Sequence, residues 1–178
     1  MKYSLFTASD TADVVALFSD VFSASEGESE GRIIADLVSR LIADTAPKNL
    51  IGCIATENDR IVGSIFFSRF IVPNDQVAFI LSPVAVSTRV QGSGIGQELI
   101  RYGLEHLKRM DVDLAFTYGD PAFYSKIGFK QISEQIVKAP FVLSQPEGWL
   151  AQSLDGHPVQ PMQGATECVE ALSDQKYW

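Results

Sequence analysis

Three glycines at alternate positions, Gly92, Gly94 and Gly96, stand in the stretch Gln91-Gly-Ser-Gly-Ile-Gly-Gln97, between an apolar run and a helical stripe. Glycine is costly at a helix start unless the backbone must take a positive φ or something must come close to it. Where a strand passes into a helix, several N–H groups have no intrahelical partner and a partial positive charge gathers. The chemistry on offer is therefore the holding of an anion, a phosphate or pyrophosphate above all. Two well-known nucleotide loops do not fit. A dinucleotide fingerprint needs glycine where Gln97 stands, and an NTPase phosphate loop needs Gly-Lys-Ser/Thr at the helix start. Taken alone, the glycines also fit a tight turn with close helix packing.

Few other residues offer chemistry by type and spacing. Cys53 and Cys168 are not a metal-spaced pair and are too few for a disulfide framework, so a reducing cytoplasm is expected and no metal site. Cys53 falls in a strand and reads as core; His106, among charged helix residues, and His157, in a turn-like Gly-His-Pro, read as surface. The net charge is −8 and no Lys/Arg cluster gathers on any segment, which speaks against a nucleic-acid backbone as partner. The opening Met-Lys-Tyr-Ser-Leu-Phe lacks a signal-peptide core and no stretch is long and apolar enough for a membrane span, so no membrane partner is expected. Acidity leans slightly toward a cationic substrate.

The elements that must position the glycines alternate along the chain. Its 178 residues, 46% hydrophobic and 20% charged, suit one folded domain, 1–178, with a core of about 2–154 and a C-terminal extension, 155–178. Lys2 to Phe6 is a short strand. Ser9-Asp10 then offers cap chemistry to a helix carrying Val14, Val15, Leu17, Phe18 and Val21. The small, acidic stretch 23–31 reads as a mobile connection, and a second helix runs through Ile33, Ile34, Leu37, Val38, Leu41 and Ile42 to a stop before Pro47. A hairpin turns at Asn58-Asp59, and a central strand follows in Gln76 to Ser87, interrupted by Pro83, which implies a bulge or a neighbouring strand that has parted. A helix opens at Gly94. Asp113 to Tyr118 is a strand, Asp120-Pro121 starts a short helix that stops at Gly128, Phe129 to Val137 and Gly148 to Leu154 are strands, and Glu167 to Leu172 closes as a short helix.

In this setting Gln91-x-x-Gly94-x-Gly96 after an apolar strand, followed about thirty residues later by Ala-Phe-Tyr-Ser-Lys-Ile-Gly-Phe, resembles the GNAT N-acetyltransferase superfamily, and Leu-Ser-Pro-Val-Ala-Val-Ser with Tyr-Gly-Asp-Pro-Ala-Phe-Tyr resembles its YhbS-like branch. The resemblance covers roughly Lys2 to Leu154. It implies an α/β (α+β) fold with a mixed central sheet of about seven strands, splayed between strands 4 and 5, and about four flanking helices. It implies acetyl-CoA as cosubstrate, with Gln91, Gly92, Gly94, Ile95, Gly96 and Gln97 on the pyrophosphate, chiefly through backbone N–H groups. Val84 and Val86 would pair with the pantetheine arm as if it were another strand. Tyr124 would stand near the thioester sulfur and donate to the departing thiolate.

The sequence departs from many relatives in one respect: Val77 to Thr88 contains no Asp, Glu or His that could serve as general base on the fourth strand. Glu26, Glu28 and Glu30, on the connection that lines the acceptor side in this superfamily, are the alternative carboxylates for a cationic amine, against their reading as a solvated charge run. The expected activity is transfer of an acetyl group from acetyl-CoA to a primary amine by direct attack. The alternatives are an acyl-CoA-binding or sensing module of the same fold without chemistry, and an interaction domain whose glycines only make a turn. Family habit implies a homodimer.

Overall fold

The first helix starts from a reciprocal cap. The Thr7 amide and hydroxyl donate to Asp10 Oδ2 at 2.7 and 2.9 Å, and the single 3-10 turn Ala8–Asp10 opens into α1, Thr11–Glu26. Asp10 does its capping one turn early, backward onto Thr7. The computed structural model describes residues 1–178. After β1 (Lys2–Leu5) and α1 come α2 (Glu28–Asp44), β2 (Leu50–Glu57), β3 (Arg60–Phe70), β4 (Ala78–Val86) and α3 (Ile95–Arg109). The chain continues through β5 (Leu114–Tyr118), α4 (Pro121–Tyr124), β6 (Lys130–Gln131) and β7 (Trp149–Ser153). One seven-stranded mixed sheet has the order β1-β2-β3-β4-β5-β7-β6. By internal packing the chain divides into two compact units, Met1–Phe67 with Pro83–Gly103 and Ser68–Ser82 with Leu104–Trp178.

In the first unit β1 runs antiparallel to β2, from Lys2↔Thr56 to Leu5↔Cys53. The β2–β3 hairpin turns through Asn58 and Asp59 with φ of 50° and 59°, which these two residue types tolerate without glycine. Val14, Leu17, Phe18 and Val21 of α1 and Ile34, Leu37, Val38 and Leu41 of α2 are buried, at the spacing of one helical stripe each. Phe66 of β3 takes Phe6 and Phe18 at ring distances of 5.3 and 6.1 Å.

The stretch 23–31 is a correction. It is helical to Glu26 and again from Glu28, and Gly27 alone, at φ 99°, joins the two helices. Its small residues serve close packing. A Cβ on Gly31 would lie 1.9 Å from Ser23 Oγ and 2.7 Å from the Ser19 carbonyl oxygen, so α2 crosses α1 at a distance only glycine permits.

In the second unit the start of β4 pairs in parallel with β5, Ala78↔Leu114 to Leu81↔Thr117, and β5 pairs antiparallel with β7, Leu114↔Ser153 to Tyr118↔Trp149. Phe70, Phe116 and Trp149 form the aromatic centre, with ring distances of 4.9 to 5.8 Å. The strand expected over Phe129 to Val137 is only Lys130–Gln131. Ser133 ends it: its hydroxyl accepts from the Gln135 amide and its carbonyl from Ile136 and Val137, a turn that competes with the ladder. Of the expected last helix only the turn Glu170–Leu172 forms, because Glu167 instead bridges Ile71 in both directions at 2.8 and 3.0 Å. The C-terminal Trp178 is buried, stacked with Tyr118 and Phe141, with its indole N–H on the Leu172 carbonyl.

Candidate active site

The glycine loop lies in the first unit, between β4 and α3. Ser87 is held to β3 by its amide on the Val62 carbonyl at 2.8 Å, and the Val90 amide bonds back to Ser87 at 3.0 Å. Gly92 and Gly94 take φ of 78° and 84°, and a Cβ on either would meet no atom within 4 Å. The glycines are demanded by backbone conformation, since the surrounding space is open. The first helical bond runs from Glu98 N–H to the Gly94 carbonyl at 3.1 Å. No protein acceptor takes the consecutive amides from Gly92 to Gln97. Such a row of donors at the start of a fifteen-residue helix is chemically an anion cradle.

The side chains of this loop do other work. Gln91 Nε2 donates to the Val86 carbonyl at 2.8 Å and Ser93 Oγ to the Val90 carbonyl, so both brace the turn from within. Ile95 is buried in the core. What Gly92, Gly94, Ile95, Gly96 and Gln97 present together is main chain.

The β4–β5 ladder spans four residue pairs and ends at Leu81, two residues before Pro83, leaving Val84 and Val86 outside it. Proline has no N–H to give, so its place beyond the last rung is consistent with its chemistry. Val84 and Val86 are half-buried while Pro83 and Ala85, which alternate with them, are buried, the alternation of a strand with one covered face.

Tyr124 lies in the second unit, at the end of α4. Asp120 caps this turn by accepting from the Ala122 amide at 2.9 Å, with Pro121 at the first helical position. The Tyr124 ring meets Phe123 and Phe129 edge-on at 5.0 and 5.8 Å. A Cβ on Gly119 would come within 2.7 Å of Tyr124 Cε2, so glycine there lets the ring sit against the end of β5. Burial pushes the phenol above its usual pKa; the nearby Thr117 hydroxyl opposes the rise and the Asp120 carboxylate adds to it. Thr117 was not among the residues singled out by sequence. A hydroxyl in the apolar run Leu-Ala-Phe-Thr-Tyr was the available signal, and its Oγ1 donates to the Leu81 carbonyl at 3.0 Å in a fully buried setting.

Glu26, Glu28 and Glu30 sit on either side of the Gly27 junction, with Glu26 and Glu28 exposed and Glu30 partly so, and Glu28 pairs with Arg32 at 3.8 Å across one turn. Cys53 is buried, as its strand position suggested, and burial pushes its thiol up to about 12, which makes it a poor nucleophile. No three His, Cys, Asp or Glu residues come together as a metal site would require, and no helix is long and apolar enough to cross a membrane.

Known proteins give the arrangement a context. The acetyltransferase (GNAT) domain family matches residues 48–131. The uncharacterized N-acetyltransferase YjhQ of Escherichia coli K12 is 30% identical over 142 residues, 76% of this chain and 78% of the relative. The crystal structure of the GNAT family N-acetyltransferase YhbS from Escherichia coli, in complex with CoA, is similar with a TM-score of 0.81 and 23% identity, over 97% of this chain and 92% of that one. A GNAT family acetyltransferase from Brucella melitensis, in complex with acetyl-CoA, has a TM-score of 0.72 and 22% identity, over 97% of both chains. At these identities the two structures speak to the fold.

Proposed function

The chain belongs to the GNAT acetyltransferase family, and from that premise we propose that it moves the acetyl group of acetyl-CoA to a primary amine by direct attack. The observation that supports this most is the row of unpartnered amides from Gly92 to Gln97 with two glycines at positive φ, which fits a pyrophosphate. In this reading Gln91 braces the cradle, the main chain of Gly92, Gly94, Ile95, Gly96 and Gln97 holds the pyrophosphate, and the main chain at Val84 and Val86 pairs with pantetheine. YhbS and the Brucella protein were solved with CoA and acetyl-CoA bound.

The amine nitrogen attacks the thioester carbon, the C–S bond breaks, and sulfur leaves with the electron pair. Tyr124 supplies a hydrogen bond to that thiolate. A phenol raised above its ordinary pKa of about 10 is a weaker acid than a thiol of about 8.5, so the proton stays mainly on oxygen and stabilisation comes from a charge-assisted bond. The nitrogen loses its proton by another route. Val77 to Thr88 holds no Asp, Glu or His, and the proton passes to solvent, with Glu26, Glu28 and Glu30 drawing the cationic amine. That same missing carboxylate favours the second reading, a module that binds acyl-CoA without turning it over.

Thiol release from acetyl-CoA across a panel of primary amines separates the two. The enzyme reading expects release above the spontaneous rate with at least one amine, and expects Tyr124→Phe to lower turnover roughly 10- to 100-fold while acetyl-CoA affinity holds. Binding without release from any amine would leave the module.

A further inference from the structure

The extension 155–178 returns to the end of β5, and the reaction proposed above makes no use of it. Its Trp178 is buried. The indole stacks on Tyr118 with ring centres 6.1 Å apart and planes 15° apart, stacks on Phe141 at 6.1 Å, and meets Trp149 edge-on at 6.1 Å. Its N–H donates to the Leu172 carbonyl at 3.0 Å. Tyr118 is pinned from its other end too. Its phenol oxygen accepts from the Gln145 amide at 2.7 Å and pairs with the Ser144 hydroxyl at 2.9 Å, while Gln175 Nε2 holds the same segment through the Val142 carbonyl at 2.6 Å.

Tyr118 is where this clamp meets the corner that seats Tyr124. It follows the last β4–β5 pair, Leu81↔Thr117, and precedes Gly119. The Gly119 amide donates to the Gly148 carbonyl at 3.0 Å, and a Cβ on Gly148 would lie 3.0 Å from the Gly119 carbonyl oxygen and 3.1 Å from Tyr118 Cε2. A Cβ on Gly119 would in turn lie 2.7 Å from Tyr124 Cε2. Every step of this series is packed too closely to yield, and a close-packed interior transmits a displacement. The ring contacts of Trp178 are Tyr118, Phe141 and Trp149, so its route to Tyr124 runs through Tyr118.

We infer that Trp178 is a positioning residue for Tyr124: by holding the Tyr118 ring it fixes the contact of Gly119 with Gly148, and with it the surface against which the Tyr124 ring rests. The catalytic half of this inference rests on the role proposed for Tyr124. The packing half stands on the second unit alone.

The test uses the full chain with Trp178→Leu, which keeps an apolar body but loses the stack and the indole N–H, beside Trp178→Phe, which keeps a ring on Tyr118. Trp178→Met replaces leucine if that variant does not fold. Thiol release from acetyl-CoA with the wild type's best amine should fall roughly tenfold with leucine, phenylalanine should restore most of it, and acetyl-CoA affinity by calorimetry should stay within about twofold. Repeating the leucine change in a Tyr124→Phe background should cost less than about twofold, because two changes that act through one group do not add. Full additivity of the two losses, or a phenylalanine variant as slow as leucine, overturns the inference. In chains labelled with 3-fluorotyrosine, the Tyr124 signal is the one of five tyrosines that Tyr124→Phe removes. That fluorine resonance should shift or broaden with leucine and return with phenylalanine, and an unmoved resonance overturns the inference as well. If Tyr124→Phe alone leaves turnover unchanged, or the wild type releases no thiol, the role proposed for Tyr124 falls instead, and the fluorine resonance still decides the packing half.

Discussion

The glycine loop and the Tyr124 corner use opposite means. In the loop, Ser87 to Gln97, the groups on offer are main-chain amides, the side chains of Gln91 and Ser93 are spent on bracing, and Ile95 is core. In the corner one side chain is on offer, and the main chain around it, through Gly119 and the Asp120 cap, only sets where that ring lies. A backbone site tolerates changes of side chain but not of φ. A side-chain site tolerates changes of neither its reactive atom nor the packing behind it.

The largest effect should follow from forcing side chains onto the loop. Gly92→Val with Gly94→Val puts two β-branched residues at positive φ, at about 1–2 kcal/mol each. The free loop can relax, because a Cβ there meets nothing, so the cost reappears on binding. Acetyl-CoA affinity should fall roughly a hundredfold by calorimetry, with the unfolding midpoint little changed. A double variant that binds like wild type would break the comparison at its backbone end. In the corner, Gly119→Ala drives a methyl against Tyr124 Cε2 and should lower turnover about tenfold with affinity unchanged, read from steady-state rates beside calorimetry. Equal losses in rate and affinity would mean that the corner supports binding as well. The smallest effect belongs to Gln91→Ala. It removes one exposed brace to the Val86 carbonyl and should weaken acetyl-CoA binding by about threefold, since a net hydrogen bond is worth about 0.5–1.5 kcal/mol. A loss as large as that of the glycine pair would move the site from main chain to side chain.

The two regions were also unequally legible. Three alternate glycines announced the loop directly, because positive φ is what glycine is for, and Gly92 and Gly94 take it. Tyr124 could be singled out only through a resemblance to a family, since one aromatic on a four-residue helix looks like core. The sheet and the long helices followed from periodicity, Val14 to Val21 and Ile34 to Leu41 above all. The misread segments were those where a local composition had a tertiary cause. Ser23 and Gly31 looked like a flexible tract and are a helix crossing; Phe129 to Val137 looked like a strand and is cut by the Ser133 turn; Glu167 looked helical and pairs with Ile71.

The central claim is that the amides of Gly92 to Gln97 hold the pyrophosphate of an acyl-CoA, and thermal unfolding with acetyl-CoA, CoA or ADP tests it most directly. A ligand at about one hundred times its Kd adds roughly 2.7 kcal/mol, which moves the midpoint of a domain of this size by about 5–10 °C. That shift is expected with acetyl-CoA and CoA and a much smaller one with ADP, which has the pyrophosphate but no pantetheine for Val84 and Val86. No shift with any of the three at millimolar concentration would mean that the glycines only make a turn, and the claim would fall.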